Sequence, residues 1–184
     1  KFGSRFHTFL TRRFDRDLNG RRLHFASAMT LLQHADGDNF SSGASYLELV
    51  QFILQNGAKP NQDLEQLWRR IVFFICISNV DDHLRNHGFM LAQNGWRLSP
   101  AFDMNPVETG NGLSLNISET DNAQNLALAR EVAGHFHLKP SQAEKIILEV
   151  VQAVKQWRHE AKAAKIPSPE QARMESAFRI ANTG

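Results

Sequence analysis

Ile71-Val72-Phe73-Phe74-Ile75-Cys76-Ile77 runs without a break into Ser78-Asn79-Val80-Asp81-Asp82-His83-Leu84-Arg85-Asn86, and this junction decides how the chain is read. The first stretch is wholly apolar and must be buried. The second concentrates carboxylates, amides, an imidazole and a guanidinium. Gly88-Phe89-Met90-Leu91 follows and reads as a strand. A charged cluster between two buried elements is costly unless it is hydrogen-bonded or holds a cation. Upstream, Pro60-Asn61 opens a helix with Leu64, Leu67, Trp68, Ile71, Phe74, Ile75 and Ser78 on one face, which Val72, Phe73 and Ile77 widen almost all round. This is the central buried helix, and its C-terminal end delivers Asp81 and Asn86. Downstream, Asn94-Gly95 between two short apolar runs signals a β-hairpin, and Asp103 lies just past its second strand in Leu98-Ser99-Pro100-Ala101-Phe102-Asp103.

Asp81, Asn86 and Asp103 suit phosphoryl transfer from ATP. That chemistry needs a carboxylate to orient or deprotonate a hydroxyl, and an amide oxygen and a second carboxylate to hold magnesium. The base and the metal-binding Asn of kinase catalytic loops stand five positions apart, as Asp81 and Asn86 do, since 86 − 81 = 5. A plainer reading is a polar turn whose Asp and Asn side chains bond their own backbone. Asp82 competes for the base role or is simply solvated. His83 either orients the loop and touches phosphate or caps the helix. Arg85 either neutralises phosphate charge or forms a surface ion pair. His83 and His87 are spaced like zinc ligands on a helix, but His-Leu-Arg-Asn-His lacks the Glu of a metalloprotease.

The remaining segments predict a mainly α domain with two small β-hairpins. Residues 1–25 hold a first hairpin turning at Asn19-Gly20, and residues 26–184 form a helical lobe. A short helix is expected over Ser27 to Gln33, and another from Tyr46 to about Gly57 behind a Ser45/Glu48 capping box. Beyond Gly112 an amphipathic stripe through Leu126 and Val132 precedes a helix capped by Ser141 and Glu144. Ser168-Pro169 starts the last helix. Gly110-Asn111-Gly112 reads as a flexible loop where an activation segment would lie. Trp68, Trp96 and Trp157 read as core.

The 184 residues, 42% hydrophobic, suffice for one domain with a real core. A formal charge of +2 with interleaved signs gives no argument for direct nucleic-acid binding. The single cysteine, Cys76, excludes an intramolecular disulfide. The apolar run 71–77 is far short of the ~20 residues of a membrane span, so the expectation is a cytoplasmic protein with no membrane partner.

Val80 to Asn86, Leu98 to Asp103 and Leu10-Thr11-Arg12-Arg13-Phe14-Asp15-Arg16 together resemble the C-terminal lobe of HipA-type serine/threonine kinases, toxins of bacterial toxin-antitoxin pairs. The resemblance implies that Asp81 is the catalytic base, that Asn86 and Asp103 bind Mg2+, and that Arg12 to Phe14 form the hinge against the adenine of ATP. It implies a DNA-binding antitoxin as partner, DNA only through that antitoxin, and a protein substrate such as an aminoacyl-tRNA synthetase. Such kinases carry their phosphate-covering loop and phosphate-binding Lys on a preceding β-rich lobe, which this chain, starting almost at the hinge, has no room for. The chain alone is therefore expected to show weak or no kinase activity. Two other functions compete: a non-catalytic helical interaction module of kinase-like shape, and a small-molecule phosphotransferase.

Overall fold

The central helix begins where Pro60 places its missing amide at the first helical position and stops at Ser78, whose left-handed backbone (φ 53°) caps it through an N–H bond to the Phe74 carbonyl. The structure is a computed structural model that describes Thr8 and residues 10–183, with Thr183 by its backbone alone. In chain order its elements are β1 (Phe25–Ser27), α1 (Ala28–Leu31), α2 (Tyr46–Asn56), α3 (Pro60–Ile77), β2 (Gly88–Ala92), β3 (Gly95–Leu98), α4 (Leu126–Val132), α5 (Pro140–Lys155), α6 (Trp157–Ala163), α7 (Ser168–Arg173) and α8 (Arg179–Thr183). It is a mainly helical lobe with one small sheet.

Helix α3 is the centre. Leu64, Leu67, Trp68, Ile71, Val72, Phe74, Ile75, Cys76 and Ile77 are all buried, and α2, α4, α5 and α8 pack around them. Trp68 also donates its indole N–H to the Ala129 carbonyl at 3.1 Å, tying α3 to α4. Burial pushes the Cys76 thiol up to about 12, so it is an inert apolar side chain. Helix α2 starts at the expected capping box: Ser45 Oγ accepts the Leu47 N–H and Glu48 accepts the Ser45 N–H, both at 3.0 Å.

The sheet is antiparallel in the order β1-β2-β3. Its anchor to α3 is Asp63, which is only 3% exposed. Asp63 accepts the Arg97 Nε–H at 2.9 Å, an Arg97 Nη2–H at 3.0 Å and the Leu98 N–H at 3.2 Å. The two-residue turn is Gln93-Asn94, and Gly95 follows it as the first residue of β3, paired with Ala92; at its φ of 130° a Cβ would stand 2.5 Å from the Asn56 carbonyl oxygen, so only glycine fits between β3 and the end of α2.

Four local readings differ from the expectation. The first hairpin shrinks to a hydrogen-bonded turn over Asp17–Gly20 with a single bridge, Arg16 to Arg22, and the residues beyond it join β2 instead. Its expected first half, from Phe6, lies partly outside the described residues. The α5 cap falls two residues earlier: Gln142 accepts the Lys139 N–H at 3.0 Å, while Glu144 is drawn to Arg130 at 2.8 Å. Gly110 and Gly112 are packed, since a Cβ on either would meet Val80 or Asn122 within 3 Å. The C-terminal helix is broken into α7, a 3-10 turn (Met174–Phe178) and α8, which lets Ala177 and Arg179 reach Ser78.

Candidate active site

The loop after α3 turns two neighbouring carboxylates in opposite directions. Asp81 is exposed, and its carboxylate takes part in no hydrogen bond or ion pair among the described residues. Asp82, expected to be a second base or merely solvated, is fully buried. It accepts the Tyr46 hydroxyl at 2.5 Å and the His87 Nε2 at 2.7 Å. Its seclusion follows from its neighbours, which are the buried faces of α2 and α3. The sequence offered a faint signal, since an Asp five residues before a His could have suggested a pair.

Asn86 is buried on the inner side of the same loop. Its N–H bonds the His83 carbonyl at 2.8 Å and its Nδ2 donates to the Asp81 carbonyl at 3.2 Å, so its amide oxygen is the end left as an acceptor. Of the side chains that the plainer reading had bonding their own backbone, Asn86 does so, whereas Asp82 bonds other side chains and Asp81's carboxylate bonds no described residue. Two residues on, the Gly88 carbonyl accepts the Ser99 N–H at 2.8 Å, four residues before Asp103. The Val107 N–H bonds the Ser78 carbonyl at 3.2 Å. The segment bearing Asp103 is thus fastened at both ends to the segment bearing Asp81 and Asn86. Asp103 is exposed, adopts a left-handed backbone (φ 55°) and holds the Asn105 amide at 2.6 Å.

On the outer side of this segment lies a cavity of about 710 Å³ lined by residues 11–15, Phe25 and residues 100–105. Phe14, Phe25 and Phe102 pack in a cluster of tilted and edge-on rings with centroids 5.6 to 6.3 Å apart, giving it an aromatic wall. Arg12, Phe14 and Asp103 are therefore brought together at one cavity, although they are far apart in sequence. Arg13 bonds Asp15 at 2.5 Å and holds its carboxyl down to about 2.

His83 and Arg85 face elsewhere. Both line a smaller cleft of about 160 Å³, beside Asp38, Asn39 and Ser114. Arg85 pairs with Asp36, as the surface alternative expected. His87 is occupied by Asp82, and no cluster of three His, Cys, Asp or Glu able to hold a metal exists among the described residues.

The loop carrying Asp36 is fastened by His34, whose Nδ1 meets Asp38 at 2.8 Å and Nε2 meets Glu48 at 2.9 Å. The bond to Glu48, reinforced by Asp38, raises the His34 pKa above its ordinary 6.5, while Asp38 is lowered by His34. A raised folded-state value stabilises fully below the unfolded value and is lost as pH rises through the folded one. Melting temperature is thus expected to fall as pH is raised through the window above about 6.5, and His34→Gln should flatten that slope. An unchanged slope in the variant would show that His34 is not the titrating group.

The family model for the HipA-like C-terminal domain matches residues 1–158. A Haemophilus influenzae protein named "Putative kinase" is 30% identical over 104 residues, 52% of this chain and 29% of that protein. A solved structure of the Shewanella oneidensis MR-1 toxin-antitoxin complex of HipA, HipB and operator DNA superposes with a TM-score of 0.73 at 16% identity. It covers 92% of this chain and 46% of that one, a likeness of fold. The chain spans less than half the length of either relative.

Proposed function

Because the chain belongs to the HipA-like C-terminal domain family, we propose that it supplies the magnesium-binding and hydroxyl-activating half of an ATP-dependent protein serine/threonine kinase, the toxin of a toxin-antitoxin pair. The observation that carries the proposal is the cavity in which the hinge residues and the 100–105 segment meet, with Asp103 among its lining residues. Its aromatic wall suits a purine ring, and Asp103 gives the lining a carboxylate for a metal ion bound with the phosphates.

Asn86 and Asp103 offer one amide and one carboxylate oxygen. That set fits Mg2+, which keeps several waters and binds through few protein oxygens plus substrate phosphates. The ion, when bound, neutralises charge on the phosphates. Asp81, exposed and with its carboxylate bonded to no other described residue, orients the acceptor hydroxyl and takes its proton. The acceptor would be a protein hydroxyl, with a translation factor such as an aminoacyl-tRNA synthetase as the candidate class. The HipB and operator DNA in the Shewanella complex support a DNA-binding antitoxin as partner, with DNA reached through it.

The test is ATP binding followed by NMR with and without Mg2+. Shifts should appear at Phe14, Phe25 and Phe102, and the added affinity from Mg2+ should vanish in Asp103→Ala. No shifts at millimolar MgATP would favour the non-catalytic interaction module instead.

A further inference from the structure

Asp82 is a fully buried carboxylate that the proposed chemistry leaves unused. Taking a charge out of water is expensive unless its partners are well placed. Here they converge on one oxygen: Tyr46 from α2 and His87 from the far end of the loop both contact Oδ2, while the buried Oδ1 has no hydrogen-bond partner among the described residues and the Arg70 cation supplies the nearby opposing charge. The Tyr46 and Phe74 rings stand edge-on to the His87 imidazole, with centroids 5.7 and 6.1 Å away. Burial and the adjoining Asp82 charge push the Tyr46 phenol well above its usual range, so it stays a neutral donor.

The covalent consequence lies in the loop. Residues 82 and 87 are its two feet, and joining them fixes everything between, including the turn in which the Asn86 N–H bonds the His83 carbonyl. Asp81, one residue outside the foot, is directed to solvent because Asp82 is directed inward. The largely buried Arg70 extends the same arrangement. Its guanidinium, lowered to about 10 by burial against the opposing charges of Asp82 and Asp63, remains a cation, and it donates to the Ser99 carbonyl at the root of the Asp103 segment.

We propose that Asp82, gripped by Tyr46 and His87, is the positioning residue that sets where Asp81 and Asn86 stand, with Arg70 extending that control to the segment of Asp103. The proposal rests on the functional reading above. Asp82 touches no substrate; it acts through its neighbours.

The experiment compares the wild-type chain with Tyr46→Phe, which keeps the ring and deletes one bond to the carboxylate, and Val151→Ala, a core truncation in α5 away from the loop. Loss of a hydrogen bond to a charged group corresponds to about a tenfold change. Tyr46→Phe is expected to speed hydrogen exchange at the Asn86 amide about tenfold relative to α5 amides, and to weaken the Mg2+-dependent part of ATP binding by about as much. ATP binding without Mg2+ should not change. Val151→Ala should lower the melting temperature and leave both ratios intact. If the two variants behave alike, or if exchange speeds up while MgATP affinity holds, the positioning role is overturned though the functional reading stands. If the wild type itself gains no affinity from Mg2+, both are overturned.

Discussion

Asp81→Asn is expected to lower phosphoryl transfer by about 10²–10⁴-fold, the usual contribution of a positioned general base, while leaving MgATP affinity unchanged. In barrier terms this is roughly 3 to 5 kcal/mol. The two effects should separate because Asp81's carboxylate is exposed and engages no other described residue, whereas the loop is held by its backbone and by Asp82. Asparagine keeps the size and leaves the Asp81 carbonyl free to accept from Asn86. Because these residues span less than half of either relative, the rate is measured on this chain and on any longer polypeptide that contains it. The chain alone is expected to be slow. A brisk rate that survives Asp81→Asn would remove Asp81 from the proposed chemistry.

Trp68→Ala carries the largest expected loss of stability. The side chain is fully buried at the centre of α3, and its indole N–H is the bond between α3 and the Ala129 carbonyl. Truncating a buried Trp costs about 3 to 5 kcal/mol, and the orphaned carbonyl adds to it. For a chain of 184 residues that corresponds to a melting temperature lower by roughly 6 to 20 °C. Trp157 gives the contrast: only partly buried, it stacks on Phe178 at 4.4 Å with Arg158 over its other face, so its truncation should cost much less. Equal effects in thermal melts of the two variants would contradict this placement of the core.

Much of this was legible in the chain itself. Periodicity of apolar residues placed α2, α3 and α5, because a helix buries every third or fourth side chain whatever its partners. Pro60, the Ser45/Glu48 box and Asn94-Gly95 marked boundaries, because caps and tight turns are chosen by local backbone geometry. The five-residue spacing of Asp81 and Asn86 marked the loop for the same local reason. Only tertiary structure decided what depends on segments meeting. Asp82 and Asp81 are indistinguishable as neighbours in sequence; packing of α2 and α3 over one of them makes it a buried anchor and leaves the other in solvent. Asp63 could not be recognised as the hairpin's anchor until Arg97 and Leu98 came against it. Glu144 reads as a cap until Arg130, on another helix, competes for it. The cavity between residues 11–15 and 100–105 exists only because two segments far apart in the chain meet beside Phe25, a long-range event that no local pattern encodes.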